Sequence, residues 1–150
     1  MNSNPHSNCD CVFTPRIAKS LSKPLRVISW ICRLVAAGIL LQTLYFKLTG
    51  AEESVYIFTK VGMEPWGRYA SGVAELFAAI LLLLPRTVVI GALLAAGVML
   101  GAIGSHLTKL GLVVKDDGGL LFGLAVAVFV CTIVTVILHR RQLPMIGFLF

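Results

Sequence analysis

The sequence predicts an all-α integral membrane protein: a four-helix transmembrane bundle, N-in/C-in, with a short interfacial helix in its first outer loop. Three observations carry that reading. Apolar residues make up 57% of the 150-residue chain and charged residues only 13%, where soluble domains carry about 45–50% and about 25%. Mean hydropathy is +0.89. The ionisable residues are gathered between four long apolar stretches instead of being spread along the chain. These stretches lack the polar–apolar alternation of a lipid-facing barrel strand, so they are helices, which bond every backbone group internally. A soluble globular enzyme, a disordered tail and a nucleic-acid module are excluded.

A span needs about 20 apolar residues at about 1.5 Å each. Residues 1–23 form a mobile polar tail on the cytoplasmic side, with neither an apolar core nor a small-residue cleavage site, so the first span is expected to act as an uncleaved insertion signal. The bundle occupies residues 24–141. Its first span, about 25–48, opens behind Pro24, which suits a first helical turn. The second, about 66–84, stops at Pro85. The third covers about 87–107, and the fourth about 119–138, ahead of His139-Arg140-Arg141. Residues 142–150 are a short apolar C-terminal tail, too short to cross.

Charge sets the orientation. Arg16, Lys19, Lys23, Arg26, Arg86, Arg140 and Arg141 fall on one side against Asp10 alone. On the other side Lys47, Lys60, Arg68, Lys109 and Lys115 face Glu52, Glu53, Glu64, Asp116 and Asp117. Positive residues stay cytoplasmic, so the net charge of +6 reads as a topology signal and contact with anionic lipid. In the first outer loop, Thr49-Gly50-Ala51-Glu52 has capping-box form. Val55, Ile57, Phe58 and Val61 follow, and Gly62 is placed to close a helix, which predicts an interfacial helix over 50–61.

Membrane helices pack through small residues four apart. Such series are Ser29-Arg33-Ala37 in the first span, Gly67-Ser71-Glu75-Ala79 in the second, Gly97-Gly101-Ser105 in the third and Gly119-Gly123-Ala127 in the fourth. Two of them carry an ion. Arg33 and Glu75 differ by only about 4 Å in depth, and a bidentate pair offsets the cost of intramembrane charge. An interior Arg33–Glu75 ion pair is therefore expected, either setting helix register or serving a ligand or proton. A second polar cluster is expected near the outer surface, from Lys47, His106, Asp116 and Asp117, with Gln42 and Thr43 somewhat deeper. It reads as interfacial snorkelling and capping or as an outward-facing pocket for a polar headgroup.

His6, Cys9 and Cys11 in the tail supply three ligands at most, where structural zinc takes four. No metal site is expected; a transient soft-metal contact and an inert leader stay open. Cys32 and Cys131 both fall in the inner part of their spans and read as packing residues. The three histidines lie at unmatched depths, which argues against haem. With no phosphate loop, nucleophile elbow or metalloprotease motif, catalytic residues stay unassigned.

Over about residues 30–138 the chain resembles the DoxX-like family of small four-helix bacterial membrane proteins. The resemblance rests on Phe46-Lys47-Leu48, Gly72-Val73-Ala74-Glu75-Leu76, Pro85-Arg86-Thr87 and the Gly/Ala-rich third span with His106. Leu44, Ala78 and Ala79 stand where the family often has glycine. The resemblance implies a bacterial inner (cell) membrane and a link to quinone-coupled redox work, with quinone as the implied cofactor. Three roles stay open: accessory subunit of a quinone-linked redox system, at most an oxidoreductase subunit; non-enzymatic scaffold or assembly chaperone; and small solute or proton transporter. The expected partners are the lipid bilayer, another membrane or redox subunit, or a second copy, and not nucleic acid.

Overall fold

A computed structural model describes residues 23–114 and 117–139. The expectations for His6, Cys9, Cys11, Asp116 and the two tails lie outside the described residues. The elements are α1 (Lys23–Thr49), α2 (Glu52–Val61), α3 (Trp66–Leu83), α4 (Val88–Ser105) and α5 (Leu120–His139). A π-helical turn, His106–Leu110, prolongs α4. Among the described residues, four helices are long and apolar enough to cross a membrane: Lys23–Thr49, Trp66–Leu83, Val88–Leu110 and Leu120–His139.

The bundle is built inside-out relative to a soluble one. Its centre is mostly small: Ala36, Ala37, Ala78, Ala79, Ala92, Ala95 and Ala125 pack with Leu40, Leu82, Met99 and Val128. Large side chains such as Ile31, Leu34, Phe77, Ile90, Leu100 and Ile137 point outward. That distribution suits helices whose outer solvent is hydrocarbon, where close backbone approach replaces the hydrophobic effect as the packing force. α1 packs against α3 and α5, and α4 packs against the same two. α1 and α4 therefore occupy opposite corners.

The small-residue series divide. Ser29, Arg33 and Ala37 of α1 are buried, as are Glu75 and Ala79 of α3. The series of α4 and α5 turn outward: Gly97, Gly101, Gly123 and Ala127 are exposed, and a Cβ on any of the three glycines would meet nothing within 4 Å. α4 instead buries Gly91, Ala92, Ala95 and Ala96. Its apolar residues surround the whole helix, so glycine spacing alone did not reveal which stripe faces inward. Gly91 marks the tightest approach. A Cβ there would lie 2.4 Å from the Leu82 nitrogen and 2.7 Å from the Leu81 carbonyl carbon.

The hairpin 84–87 and Arg33 together close α3, giving each of its last four carbonyls a donor, groups a helix cannot satisfy internally. Leu84 N–H donates to Ile80 O (3.2 Å) and Thr87 Oγ1 to Leu81 O (3.0 Å). Arg33, reaching across from α1, donates Nε to Leu82 O and Nη2 to Leu83 O, both at 2.7 Å. At this same end Ser29 Oγ donates to His139 Nε2 over 3.5 Å, while His139 Nδ1 donates to Thr135 O over 3.1 Å. The start of α1 and the end of α5 thus meet beside the hairpin.

The expected capping box is not formed. Thr49 is the last residue of α1, and its hydroxyl donates back to the Tyr45 carbonyl at 2.9 Å; Ala51 precedes α2 without a side-chain cap. Gly62 closes α2 in the left-handed region (φ 82°), with Met63 N–H on Phe58 O at 2.9 Å. Lys109 Nζ then donates to Val61 O at 3.1 Å and ties α2 to the π-helical turn.

Candidate functional site

At the α2 end of the bundle, α1 and α3 bring opposite charges together. Thr43 and Lys47 lie one turn apart on α1; Glu75 sits mid-way along α3 and is 1% exposed. Lys47 Nζ donates to Glu75 Oε1 at 2.5 Å, and Thr43 Oγ1 to Glu75 Oε2 at 3.1 Å. Thr43 Oγ1 also lies 3.0 Å from Leu40 O; with one proton, it serves one acceptor at a time. Gly72 makes the approach possible. A Cβ there would stand 3.2 Å from Leu44 Cδ1 and 3.8 Å from Lys47 Cβ, so its absence leaves a channel for the lysine stem. Phe58 of α2 covers the pair, its ring centroid 5.7 Å from Lys47 Nζ.

A second guanidinium closes the rim. Arg68 Nε donates to both Glu64 oxygens, at 2.8 and 3.1 Å, and its Nη1 donates to Lys47 O. Arg68 thereby caps the end of α1 much as Arg33 caps α3, each cation at the negative end of a helix dipole. Lys47, Glu75, Arg68 and Glu64 together carry no net charge.

The expected Arg33–Glu75 pair is replaced. Both guanidinium bonds of Arg33 go to the Leu82 and Leu83 carbonyls, its plane lies over Trp30 at 4.3 Å, and Glu75 is paired with Lys47. Depth counting ignored side-chain direction. Helical side chains lean toward their own N-terminus, so Arg33 leans to the hairpin end while Glu75, on an antiparallel helix, leans away from it. Lys47, at the last turn of α1, leans inward and meets Glu75. That rule was the signal able to find the pair; Thr43, expected beside Lys47, lies with it on Glu75.

The expected outer cluster separates in two, because Lys47 and His106 belong to opposite corners. His106, 5% exposed, donates Nδ1 to Gly111 O at 3.0 Å and sets its ring edge to face with Phe122 at 5.7 Å. Asp117 Oδ1 accepts from Val114 N and Gly119 N, both at 2.9 Å, and Oδ2 from Leu121 N at 3.1 Å, capping α5. Partial burial by itself would raise the Asp117 carboxyl pKa; the three N–H donors and nearby His106 outweigh it and hold the pKa below its ordinary value. Gln42 is exposed.

Chemically, the α1–α3 site offers an ammonium and a hydroxyl as donors and a carboxylate as acceptor, inside an apolar wall. Compared with known proteins, residues 31–134 match the model of the DoxX-like family. No curated protein and no solved structure matches.

Proposed function

The chain belongs to the DoxX-like family, and from that membership we propose an accessory subunit of a quinone-linked redox system in the bacterial inner membrane, both termini cytoplasmic. The observation that carries the reading is the Lys47–Glu75–Thr43 constellation, buried among apolar side chains yet next to the outer surface. Ionisable groups at such depth are retained for function by default. The donor set fits a quinone headgroup: the Lys47 ammonium and Thr43 hydroxyl suit a carbonyl oxygen, the Glu75 carboxylate suits a hydroxyl, and Phe58 supplies an aromatic wall. A bound quinone would supply exchange of two electrons and two protons. Glu75 holds Lys47 oriented, Gly72 keeps the lysine stem close to α3, and α2, lying along the outer interface, shields the site from water. The excess of basic residues on the hairpin side supports the cytoplasmic assignment.

The test is quinone content after purification in mild detergent. Quinone is expected in equimolar amount with wild-type protein, and lost in Glu75→Gln and Lys47→Met samples that stay helical and monodisperse. Monodisperse wild type free of quinone, or Glu75→Gln with undiminished quinone, overturns the reading.

One observation favours a second role, that of non-enzymatic scaffold or assembly chaperone. Gly97, Gly101 and Gly123 face outward with open space beside them, the kind of surface that admits another helix closely. Photo-crosslinking from position 101 that recovers one specific membrane partner, with Glu75→Gln tolerated, would select this role.

A further inference from the structure

We propose that Ser54 of α2 is a binding residue of the Lys47–Glu75 site, its hydroxyl held open for an oxygen of the bound headgroup; the inference rests on the reading of that site as a quinone site. Among the described residues, Ser54 Oγ is the one buried side-chain oxygen or nitrogen without a hydrogen-bond partner. Ser54 is 7% exposed, while Glu52, Glu53 and Tyr56 of the same helix are exposed. It shares the inward stripe of α2 with Ile57, Phe58 and Val61, at the i, i+3, i+4 and i+7 spacing of one helix face. An apolar residue belongs at such a position. A hydroxyl there costs stability for as long as it has no partner.

Two contacts bracket Ser54 at the end of α1. Ala51 N–H donates to Phe46 O at 3.1 Å, which pins the start of α2 next to Lys47. One turn beyond Ser54, the Phe58 ring stands 5.7 Å from Lys47 Nζ. Residues four apart are neighbours on a helix face, about 5–6 Å between Cβ atoms, so Ser54 lies between the α1 contact and the aromatic cover of the ammonium. That ammonium has three N–H donors, of which Glu75 takes one. Thr43 has to release Glu75 or Leu40 before its hydroxyl serves a ligand; Ser54 releases nothing. A serine hydroxyl donates to a quinone carbonyl oxygen and accepts from a quinol hydroxyl, so Ser54 stays bonded to the headgroup in both redox states.

The test pairs two measurements on the full chain, stripped of bound quinone by detergent washing. Isothermal titration calorimetry in nanodiscs of quinone-free lipid reads the affinity for a short-chain benzoquinone, and SDS titration reads the stability of the unliganded protein. Ser54→Ala removes the hydroxyl alone. It is expected to leave the unliganded protein at least as stable as wild type, since an orphan hydroxyl is lost and alanine favours the helix. It is expected to weaken benzoquinone binding about three- to tenfold, the worth of one hydrogen bond. Binding that Lys47→Met abolishes and Ser54→Ala leaves unchanged overturns this inference and keeps the reading of the site. Wild type that binds no benzoquinone overturns both. An unliganded Ser54→Ala protein less stable than wild type would mean that the hydroxyl has a partner within the fold, and overturns the inference as well.

Discussion

Replacing Lys47 with methionine strands the Glu75 carboxylate in a place where it is 1% exposed, with the Thr43 hydroxyl at 3.1 Å as its remaining side-chain donor. Breaking a buried pair from one side costs about 3–5 kcal/mol, because the uncompensated charge stays buried. Glu75→Gln strands the other partner on milder terms. The Lys47 side chain is 16% exposed and sits in the last turn of α1, so it extends to the headgroups by snorkelling, at a cost of about 1–3 kcal/mol. Removing both charges with Lys47→Met and Glu75→Leu is expected to be close to neutral, since apolar replacement of a whole buried pair is often tolerated or stabilising. The assay is reversible SDS titration in mixed micelles followed by far-UV circular dichroism, giving a double-mutant cycle. The reasoning predicts Lys47→Met as the worse single change and a double variant more stable than either single. Equal small losses in both singles, or a double variant as weak as their sum, would refute it.

Other perturbations separate the remaining elements. Arg33→Met leaves the Leu82 and Leu83 carbonyls without their donors, an expected loss of about 2–6 kcal/mol at about 1–3 per orphaned acceptor, and Arg33→Lys should recover only part of it in the same titration. Gly91→Ala drives a Cβ into the α3 backbone and should cost about 1–3 kcal/mol or more, whereas Gly97→Ala and Gly101→Ala, facing open space, should be neutral or slightly stabilising through helix propensity; equal effects at 91 and 97 would contradict the packing. Asp117→Ala removes the cap of α5, at about 1 kcal/mol. Because the folded Asp117 carboxyl ionises below its unfolded value, its contribution is complete above about pH 4 and fades as pH falls through the lowered folded pKa. The Asp117→Ala variant should therefore lose less stability than wild type between pH 5 and pH 3, read by thermal unfolding at each pH.

The apolar bundle was legible because spans announce themselves by length: four stretches of adequate hydropathy, and prolines at 24 and 85 beside helix ends. Gly62 as a closing residue was legible for a local reason, its need for positive φ. What escaped reading required knowledge of neighbours. Thr49 had the spelling of a cap, yet α1 runs through it and takes its hydroxyl for itself. Gly97 and Gly101 had the spacing of a contact, yet on a helix apolar all round the facing stripe is chosen by Gly91, where two helices leave a hairpin of four residues. Arg33 looked like the partner of Glu75 until the orphan carbonyls ending α3 are counted; they are two good acceptors level with it. Lys47 looked like a solvated end residue until its inward lean is considered.

The central claim is the identity of the cation that neutralises Glu75, and solid-state NMR on lipid-reconstituted protein tests it directly. Lysine is labelled with 15N at Nζ, arginine with 15N in the guanidinium, and glutamate with 13C at Cδ, and rotational-echo double resonance reads the carbon–nitrogen dipolar coupling. The account predicts a strong dephasing of the Glu75 carboxyl signal from Lys47 Nζ that vanishes in Lys47→Met. A Glu75 signal dephased by arginine, and silenced by Arg33→Met instead, would contradict it.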